Sequence, residues 1–585
     1  MRYFDTGTKR FVELSDSDFK AKGGEGSVYI SNGRVYKICE PGFMIPEAKF
    51  KELSVLTHPR IIRPETILLD SGKKHAVGYT MKLVPKNPIS LAEMLSKAYQ
   101  EREGVTAKTK ADLVMQIREG VQFTHDKGRE KFSTPILIVD ENENNFMVTD
   151  DYSEVYFIDV GAWQTPHFPC PVLNPSVWDF HCNNHWTELS DWYSFGIIAW
   201  WLFIGNHPFK IFHPILKTLK DAMINCMKAN KSMLDPQADY PQAAVYYPFE
   251  NHIPGGNDGA FMQWFRAMWI DGKRLPPPTD YQAALVAIIT KVKEIVGSNN
   301  FNMNLLFDFG KNGSADITAY YQNLGKEVVV TKSNIVVDRQ FYPRINQRFR
   351  IGFTPTNKAV AVYIDDDRLK IMGVENQLPI NIDAAATAIM AYDGRVYVQS
   401  GTAICELTFI EMGQSVLTAL QPVANIIEHA TQLFQGVAFQ QMFGAYMVSV
   451  FPKQNQHQQF KIVELEGYRI TDAKFDSGVL MVVGTKGRSG QYDRFVIRFH
   501  PDWSKYECKI IEDISPIGLN FTVIRGVCVC ITEEQKVEVF AADPRSTQQP
   551  KTITDPAIQN DMHLCHGQHG VQFARGSKLF SFAMR

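Results

Sequence analysis

The chain has 585 residues, and its 61 Lys and Arg stand against 63 Asp and Glu for a formal net charge of -2. Hydrophobic residues make up 45% and charged residues 21%, an ordinary globular balance that excludes a disordered, collagenous or coiled-coil chain. The even charge leaves no bulk electrostatic case for nucleic acid or an anionic membrane as a partner.

At roughly 100–200 residues per domain, the length implies three to five domain-sized units or two large ones. The apolar run Trp192 to Ile204 is too short to span a bilayer and reads as a buried helix. Met1-Arg2-Tyr3-Phe4-Asp5 contains no apolar signal core. The nine cysteines are scattered and odd in number, which reads as unpaired thiols in a reducing, cytoplasmic protein.

In chain order, the first chemical motif is Gly24-Glu25-Gly26-Ser27-Val28, between strand-like segments Arg10–Leu14 and Val28–Ile30. Glycines there let backbone N–H groups approach a polyphosphate, although a bare hairpin turn has the same composition. Val35-Tyr36-Lys37-Ile38 follows. A lysine inside an apolar strand is costly to bury unpaired and calls for a carboxylate or a phosphate. Glu47 follows in a helical pattern ending before His58-Pro59. A helix is expected near Lys108 to His125, with Leu113, Ile117 and Val121 on one face and Gly128 as its stop signal.

The apolar strand Pro135–Val139 runs into Asp140-Glu141-Asn142-Glu143-Asn144-Asn145, and a second strand ends at Ile158-Asp159-Val160-Gly161. This pattern can bring Asp140, Asn145 and Asp159 into one cleft. Such hard oxygen ligands suit Mg²⁺ carrying nucleotide phosphates. A helix follows Asp191, and another is expected from about Tyr281 to Val296.

Glycine-rich turn, strand lysine, helix glutamate, Asp-x4-Asn and Asp-x-Gly come in the order of the protein-kinase signature, and residues from about 10 to 296 resemble that superfamily. Gly78-Tyr79-Thr80-Met81-Lys82-Leu83-Val84 looks like the strand entering the interlobe hinge. Asp191-Trp192-Tyr193-Ser194-Phe195-Gly196, Gly205-Asn206-His207-Pro208-Phe209 and the stretch Trp264 to Pro276 with Arg274 resemble the large lobe. Asp140-x-Asn142-x-x-Asn145, Ile158-Asp159 with Trp163-Gln164, and Pro169-Cys170-Pro171 are similar to a divergent bacterial branch of stand-alone serine/threonine kinases often associated with helix-hairpin-helix segments.

The resemblance implies a bilobal α+β fold and an ATP- and Mg²⁺-dependent transfer to a protein substrate. It makes Gly24, Gly26 and Val28 the cover of the nucleotide, with Met81 the gatekeeper and Lys82, Leu83 and Val84 the adenine-binding hinge. Lys37 holds phosphates and pairs with Glu47; Asp140 is the catalytic acceptor of the substrate proton; Asn145 and Asp159 bind the metal. Asn142 stands where the family has a catalytic-loop lysine, Ile138-Val139 replace its His-Arg, and no Ala-Pro-Glu anchor is visible near Asn174-Pro175. These losses keep open a pseudokinase that binds nucleotide without efficient transfer. Transfer to a small molecule is a third reading. His167, Cys170, His181, Cys182 and His185 form a rival zinc pattern.

The implied organisation is a kinase-like domain over residues 1–299, divided at about 84/85 into two lobes, a linker over 300–324 around the polar Gly297–Asp316 stretch, and an all-β domain over 325–585. In the last, six hairpins (Ala359–Met372, Gly394–Phe409, Gly444–Leu465, Gly478–Phe499, Gly526–Ala541 and Gly570–Phe582) start roughly 35 to 50 residues apart. That period indicates a six-bladed β-propeller, with a β-sandwich pair or an irregular β domain as alternatives. A propeller would present a protein or peptide ligand site by fold analogy alone.

Overall fold

The structure is a computed structural model. It describes residues 1–585 except 172–173, 183–184, 215, 217–221, 280–297, 313–315, 413–414, 487–490, 516–517 and 568–569. The expected helix from Tyr281 to Val296 lies outside the described residues. The chain divides into two compact units, one made mainly of residues before 280 and the other mainly of residues after 297.

The N-terminal unit begins with a seven-stranded antiparallel sheet. Its strands are β1 (Arg2–Asp5), β2 (Arg10–Glu13), β3 (Phe19–Gly23), β4 (Gly26–Ser31), β5 (Arg34–Cys39), β6 (Thr66–Leu69) and β7 (Ala76–Lys82), in the order β2-β1-β6-β7-β5-β4-β3. Gly26 sits where a Cβ would stand 2.3 Å from the Ile38 carbonyl oxygen, so the β4 backbone can lie against β5 only without a side chain there.

A mainly helical region follows. The long helix Ala107–Phe132 passes through Gly128 instead of stopping there. A Cβ at Gly128 would meet the Ile136 backbone nitrogen at 2.1 Å, so this glycine admits the crossing segment and Ser133, in the left-handed region, ends the helix. The expected strand Pro135–Val139 is a loop with an isolated bridge between Leu137 and Gln164. The helix Glu188–Ile204 is buried at every position from Ser190 onward. Among the described residues no helix is long and apolar enough to cross a membrane.

His207 lies under that helix with no solvent exposure. Its Nδ1 accepts from the Phe209 N–H at 3.2 Å, so its Nε2–H donates to the Ser176 carbonyl at 2.8 Å. Burial lowers its pKa to about 3, and nearby Lys210 adds to this while the Ser176 carbonyl opposes it. Below the ordinary value of 6.5 the unfolded chain takes up a proton that the folded chain refuses. This contribution is therefore intact above pH 6.5 and is lost as pH falls towards 3. At pH 5 it should cost about 2 kcal/mol of unfolding free energy relative to pH 7. Urea titrations at both values should read that loss in the wild type, and His207→Gln, which can donate and accept without titrating, should shrink it.

The C-terminal unit consists of seven four-stranded antiparallel sheets among the described residues. Six use consecutive strands within residues 317–343, 349–380, 388–425, 431–461, 469–514 and 521–554. The seventh joins strand Phe301–Asp308 to His563–Gly567, Gly570–Arg575 and Lys578–Met584, with Phe301 opposite Met584. Each sheet shares an apolar core with the next. Ala574 and Leu579 of the last sheet pack with Val329 and Val336 of the first, so the ring is closed.

Two expectations are corrected. Seven sheets form where six were expected, because the six hairpins omit the one built from Lys326–Thr331 and Asn334–Val337. Residues 300–324 are not a linker, since they contain Phe301–Asp308 and Ile317–Asn323, strands of two different sheets. A fragment spanning 298–585 should therefore fold with a β-dominated circular dichroism spectrum. A fragment starting at residue 325 lacks both strands and should melt at lower temperature or fail to fold.

Candidate active site

The site grows from the centre of the seven-stranded sheet. On β5, Lys37 lies opposite Val28 of β4 and Tyr79 of β7, so its side chain emerges between neighbours on both sides. Only 9% of Lys37 is exposed, and so large a desolvation of an ammonium requires counterions. Lys37 Nζ donates to Asp159 Oδ1 at 2.9 Å and to Glu25 Oε2 at 2.7 Å. Burial works against its charge, but Tyr79, Asp159 and Glu25 hold its pKa above the ordinary lysine value.

Asp159 follows the strand Val155–Phe157 and adopts the left-handed conformation, φ 57°. That conformation turns the chain immediately after the strand into the short helix Val160–Ala162.

Asp140 lies on the loop after the long helix. Its Oδ2 accepts from Asn142 Nδ2 at 2.8 Å, and Asn145 Nδ2 donates to the Asp140 carbonyl at 2.8 Å. Asp140 Oδ1 is buried with no hydrogen-bond partner among the described residues. Burial pushes the Asp140 carboxyl up to about 6, Asp159 adds to the rise, and Asn142, the Asn174 N–H and Asn145 oppose it. The group is thus ionised at neutral pH and more basic than an ordinary aspartate.

The loop is braced from below. Val139, a β-branched residue, has φ 63°, a strained conformation costing roughly 1–3 kcal/mol. Asp191, fully buried in the helix Glu188–Ile204, accepts the Ile138 N–H at 2.8 Å and the Val139 N–H at 2.9 Å, and it also bonds His125. These bonds fix the backbone one residue before Asp140.

Glu47 is not where the sequence placed it. Pro46 caps the helix Glu47–Leu53, which puts Glu47 at its first position, exposed and paired with Lys51 one turn on at 2.9 Å. The buried positions of that helix are Lys49 and Leu53. Burial lowers the Lys49 pKa, with Cys170, Glu25, Glu52 and Asp159 opposing. The second carboxylate on Lys37 comes instead from Glu25, a residue read only as part of a glycine turn.

The remaining expected residues fall around this centre. Met81 packs with Met147 and Ile158 against Ile62, Val84 and Tyr156, an apolar patch adjoining Asp159. Val84 is buried, while Lys82 and Leu83 are exposed. Gly24 is exposed in the two-residue turn joining β3 to β4.

A largely buried ion pair that spacing could not reveal joins Arg274 to Asp179. Arg274 Nε and Nη2 donate to the two Asp179 carboxylate oxygens at 2.6 and 2.7 Å, and its guanidinium lies over the Tyr193 ring. The zinc pattern is not assembled: His167 bonds Glu52, His181 faces Arg274, and no cluster of three or more His, Cys, Asp or Glu suited to a metal occurs among the described residues. None of the nine cysteines forms a disulfide.

No protein-family model matches the chain, and no curated protein matches it. Among solved structures, the kinase PK-1 of Cydia pomonella granulovirus is similar over 36% of this chain and 75% of its own, at 13% identity and a TM-score of 0.27. So slight a likeness carries no weight in assigning a function.

Proposed function

We propose that the N-terminal unit is a kinase-like phosphotransferase using ATP and Mg²⁺ and acting on serine or threonine hydroxyls of a protein. The observation that carries the reading is the 2.9 Å bond between Lys37 and Asp159, residues from the sheet and from the helical region. Beside Asp159, the buried Asp140 carboxylate keeps one oxygen unpartnered among the described residues.

The donor set fits the proposed ligands. Asp159 and Asn145 supply hard oxygens for Mg²⁺, and Lys37 supplies a buried cation for phosphate. When bound, ATP·Mg²⁺ would supply the phosphoryl group and neutralise its charge. Asp140 Oδ1 accepts the proton of the acceptor hydroxyl, while Asn142 holds Oδ2 and so fixes the carboxylate plane. Asp191 keeps that loop in register by restraining Val139. Met81, Val84 and Val28 provide the apolar walls for a base. The work required of the protein is positioning and electrostatics.

We further infer that the closed ring of seven sheets is a seven-bladed β-propeller that binds a protein or peptide partner. Incubation of the full-length protein with labelled ATP and Mg²⁺ tests the activity. Label should appear on the protein itself or on a generic acceptor such as myelin basic protein. ATP·Mg²⁺ binding without label on either would favour the nucleotide-binding pseudokinase, which the loss of the catalytic-loop lysine at Asn142 also favours.

A further inference from the structure

The partner of Lys37 at the mouth of the site is Glu25, which occupies one of the two residues of the turn between β3 and β4. Resting on the reading of Lys37 as the phosphate-binding cation, we propose that Glu25 is a displaceable occupant of the nucleotide phosphate site, and that its carboxylate withdraws from Lys37 when a nucleoside triphosphate binds.

A third anion cannot join this ammonium cheaply, since Glu25 and Asp159 already stand 2.7 and 2.9 Å from it. Glu25 Oε2 stands 2.7 Å from Nζ, so a phosphate oxygen brought to the same nitrogen meets a carboxylate at close range. The two partners differ in mobility. The Lys37 side chain is 11% exposed and set in the sheet centre, whereas that of Glu25 is 27% exposed. Displacement therefore moves the acid into water and leaves the lysine in place.

The turn permits this without unfolding. The Glu25 carbonyl accepts the Glu40 N–H at 2.9 Å, and Gly23 pairs with Gly26, so the backbone is anchored while the side chain alone reorients. Gly24 and Gly26 flank Glu25, so no side chain on either neighbour hinders its reorientation. Asp159, on the opposite side, remains with Lys37 or turns to the metal. Glu47, being exposed and bonded to Lys51, does not hold Lys37 here. The turn thus carries a built-in competitor that weakens phosphate binding and sets the nucleotide concentration at which the site fills.

The test is calorimetric titration of the full-length protein with ATP and Mg²⁺, and separately with adenosine. Glu25→Gln should bind ATP·Mg²⁺ about tenfold more tightly than wild type, in line with loss of one competing charge-assisted hydrogen bond, and adenosine equally well. Glu25→Ala should behave alike, which guards against an effect peculiar to the amide. Glu25→Gln added to Lys37→Met should give no gain, because the competition is for that ammonium. If Glu25→Gln and Glu25→Ala bind ATP·Mg²⁺ no better than wild type while Lys37→Met weakens binding, Glu25 is not a competitor and the proposal is wrong. If wild type and Lys37→Met bind alike, or neither binds, the phosphate site itself is misplaced and the proposal falls with it.

Discussion

Asp140→Asn should abolish phosphoryl transfer while leaving nucleotide binding within about threefold of wild type, since losing a general base costs typically 10²–10⁴ in rate. The side chain's Oδ2 is already engaged by Asn142, and its Oδ1 is the acceptor without a partner among the described residues. An amide at this position keeps the shape and can still accept from Asn142, but it cannot take a proton. Stability provides an internal control. Burial pushes the Asp140 pKa up to about 6, so folding disfavours its ionised form, and a neutral amide avoids that cost. The variant should therefore melt at or above the wild-type temperature at neutral pH. Label transfer undiminished in a purified Asp140→Asn protein would remove Asp140 from the catalytic role. Loss of transfer accompanied by early melting would mean that the effect is structural.

Much of this centre was legible because burial of charge is expensive and leaves a pattern. Lys37 in an apolar strand, and Asp140 and Asp159 at the ends of apolar segments, each demanded a partner. All three meet residues the sequence had already marked: Lys37 and Asp159 bond each other, and Asp140 bonds Asn142 and Asn145. Glu47 failed because helix register decides which acid turns inward. Pro46 starts the helix one residue before it, so the buried face runs through Lys49 and Leu53. Glu25 was hidden by its neighbours, since glycines on both sides drew attention to the backbone. Gly128 could not be distinguished from a stop signal without the segment that crosses it, because close approach is a tertiary fact.

The C-terminal half shows a different limit. A strand covered on both faces loses its alternation of two. Ile317–Asn323 is half-buried at every position, and Val328, Val329 and Val330 are buried in succession, so the first sheet gave no rhythm to detect. The ring closure was beyond local reading altogether, because Phe301–Asp308 finds its partner at Lys578–Met584.

Lys37→Met and Asp159→Asn should each weaken ATP·Mg²⁺ binding by tenfold or more and each abolish transfer, and combining them should add little. The methionine removes the ammonium that neutralises Glu25 and Asp159 at 2.7 and 2.9 Å, and with it the cation proposed to hold the incoming phosphates. Truncating one partner of a buried charge pair formed across a binding interface, here lysine and phosphate, costs typically 2–5 kcal/mol, which is enough for that loss of affinity. Asp159→Asn acts from the other side: it removes the carboxylate proposed to face the metal, while Glu25 still claims Lys37. Because the two changes disable one unit, the double variant should bind nucleotide about as poorly as the weaker single variant. Thermal shift with and without ATP·Mg²⁺ measures this directly. Equal stabilisation of wild type and both single variants by the nucleotide would show that it binds elsewhere. Full additivity of the two losses would show that Lys37 and Asp159 serve separate ligands despite the bond between them.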